Sequence, residues 1–319
     1  MRLALVLALS SSSLLSRAAF SQRTVAPRGP IIDVHVHAYP DDDPRFANRT
    51  PNPATGQPLQ VRNAEEHRRA TLDLFRRYNI VQAVVSNGTG PVEIVGEWLD
   101  AAPDRVMPGA GFDGPTLDTA WIRAQYRAGR LRVLGEVGAQ YAGLSLADPR
   151  FEPILALAEE LDLPVGVHTG IGFPGAPYNS CCRGFRTTLG NPVQLEEVLV
   201  RHPTLRLYLM HAGWPYLQET VAIMSVYPQV YADLAVVDWI IPREEFHAYL
   251  QALERAGLGK RLMFGSDQMV WPEAIGLAIE GIESATFLTA EQRRDIFFNN
   301  AARFLRMDIT RTERRQTPR

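Results

Sequence analysis

The chain has 319 residues, 46% hydrophobic and 21% charged, with 33 basic against 35 acidic side chains and a formal net charge of −2. That balance describes a globular protein with ample material for a large core, and excludes a chain left disordered for want of one. No cationic excess exists to neutralise a nucleic-acid backbone or an anionic bilayer, so a small-molecule substrate is the expected partner, with homo-oligomerisation left open.

In chain order, the first segment is different material from the rest. Arg2 opens it, Leu3 to Leu9 is an apolar run, and a serine-rich stretch leads to Ala19-Phe20-Ser21. That order reads as a secretory signal peptide over residues 1–21, and the apolar run is far shorter than the roughly 20 residues that span a bilayer. The expectation is a secreted or periplasmic protein with no membrane anchor in its mature form.

After the leader, short β-branched runs alternate with longer helical patterns, the signature of repeated βα units around a parallel sheet. Strands are expected at 31–36, 81–85, 106–111, 132–137, 164–168, 205–210, 230–234 and 261–264. Helical patterns fall at 64–78, 119–128, 151–161, 192–201 and 243–256. Eight strands with intervening helices predict an α/β fold, a single-domain (β/α)8 TIM barrel over residues 22–307. Near its end, Thr289-Ala290-Glu291-Gln292 reads as a capping box, and Phe297, Phe298, Ala301 and Leu305 then share a helical face suited to the barrel wall or floor. Residues 308–319 read as a disordered tail.

Two connections are longer than joining requires. Residues 38–63 follow the first strand and carry Asp41-Asp42-Asp43 and several prolines; residues 169–191 follow the fifth and carry Tyr178, Arg183, Arg186 and both cysteines. Both would emerge on the C-terminal face of the barrel, where active sites of this architecture sit. Cys181 and Cys182 are adjacent, so they staple no distant elements; a vicinal bridge and two free thiols are both open.

The residues that carry chemistry lie at the strand ends. In Asp33-Val34-His35-Val36-His37, residues two apart on a strand point the same way, so His35 and His37 can grip one cation. Glu136 ends the fourth strand, His168 the fifth and His211 the sixth, and Asp267 follows the eighth. Imidazoles and carboxylates beside apolar strands are costly unless they are paired or coordinate a cation. The other three histidines read as structural or surface residues: His67 and His247 lie in helical patterns among polar neighbours, and His202 follows a helix as a C-terminal cap.

This arrangement resembles the amidohydrolase superfamily, over the whole mature chain, and most closely its amidohydrolase-related branch. The resemblance implies that His35, His37, His168 and Asp267 bind one metal while His211 polarises or protonates the substrate. Glu136 departs from that pattern. A carboxylate after strand four resembles the binuclear TatD-like and phosphotriesterase-like members, where it bridges two ions; His168 and His211 would then hold the second. A carboxylate that orients a ligand imidazole is the remaining reading of Glu136.

Such a site implies a divalent metal, zinc first, as one or two ions, with manganese and iron also acceptable to these ligands. Asp267 would move the proton of an activated water and His211 would stabilise the oxyanion, giving hydrolysis of a small ester, amide or lactone. The alternatives are a metal-dependent non-oxidative decarboxylase of an aromatic or unsaturated acid, and a catalytically silent metal-binding protein of the envelope. Trp214, Trp271 and Tyr178 are candidates to stack on the substrate, and Arg183 to pair with a substrate carboxylate.

Overall fold

The structure is a computed structural model that describes residues 29–87 and 90–308; the expected leader, and the expected tail beyond Asp308, lie outside the described residues. The strands are β1 (Ile31–Ala38), β2 (Ile80–Asn87), β3 (Val106–Phe112), β4 (Val133–Val137), β5 (Val165–His168), β6 (Leu207–Met210), β7 (Val230–Asp233) and β8 (Leu262–Met263). They pair in parallel, each with the next in sequence. The alternating helices are α1 (Ala64–Arg77), α2 (Ile94–Ala101), α3 (Thr119–Arg127), α4 (Glu152–Glu160), α5 (Glu196–Arg201), α6 (Leu217–Val226), α7 (Arg243–Arg255) and α8 (Ala274–Glu283). The molecule is a single-domain (β/α)8 barrel, as eight strand signals required.

Local chemistry explains which helices were legible. In α1 the Asn63 side chain caps the first turn, Glu65 and Glu66 face its positive end, Arg76 and Arg77 its negative end, and His67, Thr71 and Phe75 recur on the buried face. Such capped, amphipathic helices stand out in a sequence. The pattern for α2, α6 and α8 is less legible: α8 buries Ala274, Ile275, Ala278, Ile279, Gly281 and Ile282, and a helix apolar on most sides shows no clean stripe.

Strand parity is broken at three places, and two of the breaks matter to function. From Asp33 to Val36, β1 uses three steps against two in β2 between Ala83 and Val85. From Leu134 to Val137, β4 likewise uses three steps against two in β5. One extra residue is a bulge, which reverses the facing of the residues beyond it and re-aims their side chains. Thus Ile32 and Val34 pack in the barrel interior, whereas Val36 and Ala38 join the layer between strands and helices, leaving His35 and His37 on the interior side.

The barrel closes between β8 and β1 with little ladder. The Val34 N–H donates to the Phe264 carbonyl at 3.0 Å and the Asp267 N–H to the His35 carbonyl at 2.8 Å. Side chains do the rest: Asp33 accepts from the Ser266 N–H, and the Gln268 amide spans both backbone groups of His37.

The last described helices lie on the barrel floor. Thr289 and Gln292 form the expected reciprocal cap over a helix at Ala290–Arg294, which passes through a π-helical turn at Asp295–Asn299 into Asn300–Phe304. Phe298, Ala301, Ala302 and Phe304 seal the interior against Ile32, Tyr208 and Met263, while Phe297 packs on Phe264 in the other cluster. The expected shared face for Phe297 and Phe298 therefore does not hold, because a π turn shifts the helical period at that point.

Candidate metal centre

Six side chains from β1, β4, β5 and the segments after β6 and β8 meet at the C-terminal mouth of the barrel. The His35 and His37 Nε2 atoms are 3.1 Å apart. Glu136 Oε2 lies 3.5 Å from His35 Nε2 and 3.2 Å from His37 Nε2. Asp267 Oδ1 lies 3.9 and 3.3 Å from the same two nitrogens. The other oxygen of Glu136, Oε1, is 2.5 Å from His168 Nδ1 and 3.3 Å from His211 Nε2, which are themselves 3.1 Å apart.

These spacings test whether the donors fit a cation. Ligands held at about 2.0–2.2 Å in tetrahedral geometry stand about 3.3–3.6 Å from one another. His35 with His37 and Glu136 stand 3.1–3.5 Å apart, close to that range, and Glu136 with His168 and His211 stand tighter, at 2.5–3.3 Å; each set groups three donors that could hold a divalent ion. Asp267 Oδ1 is buried and, among the described residues, accepts no hydrogen bond, as expected of an oxygen whose natural partner is a cation.

Hydrogen bonds behind the donors fix which nitrogen faces the site. His35 Nδ1 donates to Asp233 Oδ2 at 3.1 Å and His211 Nδ1 donates to the Ala235 carbonyl at 3.1 Å, so both rings present Nε2. Asp233, at the end of β7, also accepts from the backbone N–H groups of His211 and Ala235 through Oδ1. This residue was missed from the sequence, although a carboxylate closing a strand is the same signal that revealed Glu136. Gln268 was missed too, since an amide carries no charge to betray it.

Backbone conformation completes the placement. His211 and Ala212 have φ of 62° and 48°, Val236 62°, and Asp267 and Met269 41° and 48°. A non-glycine residue held there costs about 1–3 kcal/mol, and such strain gathers where a side chain must be aimed.

Charges within the cluster adjust one another. Burial resists ionisation of Glu136, but His168, and hydrogen bonds from His168, His211 and His35, hold its carboxyl well below the usual range. Burial also opposes a charged His35, yet Asp267 and Asp233 raise it well above its ordinary value. Asp33 behind β1 is pushed up to about 7 by burial. Beyond β3, burial of its carboxyl and then the charge of Glu136 push Asp113 up to about 6.

The aromatic and basic candidates lie elsewhere. Trp271 is buried, donates its indole N–H to the Thr50 carbonyl and packs near Trp239, so it ties the segment after β8 to the loop after β1. Trp214 packs on the main core. Tyr178 is 91% exposed and Arg183 is exposed; among the described residues, no hydrogen bond, ion pair or ring contact joins either to the cluster. Two tyrosine rings not anticipated from the sequence lie against the cluster: Tyr39, with its centroid 5.9 Å from the His37 imidazole, and Tyr141, 4.8 Å from that of His168. Burial, then Glu136, Asp267 and Asp113, push the Tyr141 phenol well above the usual value.

The two long loops are packed rather than loose. Tyr39, Phe46, Leu59 and Val61 of the first are buried, and Arg45 pairs with Asp43 while lying 4.1 Å above the Tyr39 ring. In the second, Cys181 and Cys182 are bonded to each other, and Cys182 packs with Ala176 and Phe185 against Tyr141. Of the histidines read as structural, His202 caps α5 and bonds Glu159, and His247 bonds the Gly281 carbonyl. His67 is structural rather than a surface residue: it is fully buried, ringed by Tyr39, Phe46 and Trp98, because α1 turns that face to the core despite its polar sequence neighbours.

Comparison with known proteins agrees with this architecture. The chain belongs to the amidohydrolase family, whose model matches residues 32–307. A probable 2-pyrone-4,6-dicarboxylic acid hydrolase from Acinetobacter baumannii, solved with citric acid bound, superimposes with a TM-score of 0.62 at 14% identity, covering 88% of this chain and 100% of that one. A 2,6-dihydroxybenzoate decarboxylase from Rhizobium gives 0.59 at 14%, covering 87% and 98%. The protein fluG of Emericella nidulans is 27% identical over 115 residues, 36% of this chain but only 12% of its own length. The two structural likenesses establish a shared fold.

Proposed function

We propose that this protein is a metal-dependent hydrolase that directs an activated water at a small-molecule ester, amide or lactone. One observation carries the reading: the two oxygens of Glu136 face two separate donor sets, His35 and His37 with Asp267 on one side, His168 with His211 on the other. A carboxylate so divided suits two divalent ions better than one. When bound, such ions, zinc first, would supply Lewis acidity and a water acidic enough to act as a nucleophile near neutrality.

The chain's own groups then divide the work. Glu136 would bridge, and His35, His37, His168 and His211 would present one nitrogen each, with the His35 and His211 rings oriented from behind by Asp233 and the Ala235 carbonyl. With His211 committed to a ligand position, proton traffic falls to Asp267, whose carboxylate takes a proton and returns it to the leaving group. The leader expected at residues 1–21 would make this an exported enzyme.

Elemental analysis of protein purified with its native metal tests the reading. Two equivalents are expected in the wild type and about one in Glu136→Gln. Asp267→Asn should keep the fold but lose hydrolysis in an ester and lactone screen. Carbon dioxide release from an aromatic acid, without incorporation of labelled water, would instead make this a decarboxylase, as the structural neighbour from Rhizobium is named.

A further inference from the structure

Tyr141 is placed with more care than a packing residue needs. It sits on the turn after β4, its N–H donating to the Gly138 carbonyl at 2.8 Å. One face of its ring meets the His168 imidazole at 4.8 Å, Phe173 stacks on it at 6.2 Å with planes 16° apart, and Phe185 closes from the side at 5.3 Å. Two glycines make room. A Cβ on Gly138 would stand 2.2 Å from Asp113 Oδ1 and 3.1 Å from Tyr141 Cδ2, and one on Gly172 would stand 2.6 Å from Phe185 Cε2 and 3.3 Å from Tyr141 Cε1. The ring therefore has one position.

Its hydroxyl has no partner to match. A buried tyrosine normally commits its O–H to a protein acceptor. Tyr208 does so with the Val34 carbonyl and Tyr249 with the Ala212 carbonyl. Tyr141 is half-buried at the mouth, and among the described residues no hydrogen bond reaches its hydroxyl, although Glu136, Asp267 and Asp113 lie close enough to act on it. The donor is left for something that enters.

We infer that Tyr141 is a substrate-contacting residue, its hydroxyl donating to an oxygen of the substrate held at the metal centre. This rests on the metal-dependent reading above. The substrate class is thereby narrowed to compounds presenting an acceptor oxygen, such as an acyl or similar oxyanion-forming group, beside an apolar flank. Phe173, 45% exposed, continues the wall outward and would cover that flank. Phe173 and Phe185 act as positioning residues, setting the ring without touching the reacting atoms.

The test uses the full chain loaded with cobalt, whose visible spectrum reports the ligand field, titrated with inorganic phosphate as an oxygen-acceptor probe. Tyr141→Phe keeps the ring and the stack but removes the donor. Cobalt uptake and the unliganded spectrum should match the wild type, while phosphate binds about tenfold more weakly, the worth of one hydrogen bond of about 1.4 kcal/mol. Phe173→Ala, which frees the ring, should weaken phosphate by a smaller factor. Equal phosphate affinity in wild type and Tyr141→Phe would overturn the inference, as would a cobalt-loaded wild type that does not respond to phosphate. A wild type that takes up no cobalt would defeat the metal reading itself, a failure visible before any variant is compared.

Discussion

The Gln268 amide offers the sharpest test of how the site is held. It is fully buried, its Oε1 accepts from the His37 N–H at 3.0 Å, and its Nε2 donates to the His37 carbonyl at 2.9 Å. A neighbouring strand would normally satisfy both groups, but β8 ends at Met263, so a side chain next to Asp267 stands in for the missing ladder. Gln268→Leu keeps the approximate volume and removes both bonds. Two buried backbone groups would be left without partners, at about 1–3 kcal/mol each, so the metal-free protein should lose roughly 2–6 kcal/mol in urea unfolding. Because His37 would no longer be fixed, metal affinity should fall about 10–100-fold, the usual effect of losing a group that orients a ligand. A loss below about 0.5 kcal/mol with unchanged metal affinity would refute the reasoning, since it would mean that the seam closes equally well without the amide.

Three other outcomes are expected. Burial lowers the His67 imidazole to about 3, so between that value and the unfolded 6.5 the unfolded chain binds the extra proton and stability rises with pH. Acidifying metal-free protein from about pH 6.5 to about pH 5 should therefore cost about 2 kcal/mol through this residue; urea midpoints of His67→Leu should lack that share, and parallel pH profiles for the two proteins would sink the idea. In the core, a Cβ on Gly166 would stand 2.4 Å from Tyr208 Cζ, so Gly166→Ala should destabilise by about 1–3 kcal/mol in thermal unfolding. Finally, Asp233→Asn should lower metal affinity with little change in the cobalt ligand count, because the residue orients His35 rather than binding; loss of a whole equivalent would reassign it as a ligand.

Sequence alone marked the polar groups of the candidate site and their address. Eight β-branched runs separated by helical patterns define a barrel because a parallel sheet needs a crossover after every strand, and such a barrel gathers polar groups at its C-terminal rim. His35, His37, Glu136, His168, His211 and Asp267 were legible for that reason: a charged or imidazole group at the end of an apolar strand needs a partner, and the rim supplies it.

Only the tertiary structure decided how those groups face. A period of two assumes an unbroken ladder, and the bulges in β1 and β4 that aim His35, His37 and Glu136 leave no mark in residue type. The positive φ values at His211 and Asp267 are imposed by the chain around them. Asp233, Gln268, Tyr141 and the buried His67 owe their roles to neighbours far away along the chain, and contacts of that kind are settled by packing in three dimensions rather than by local pattern.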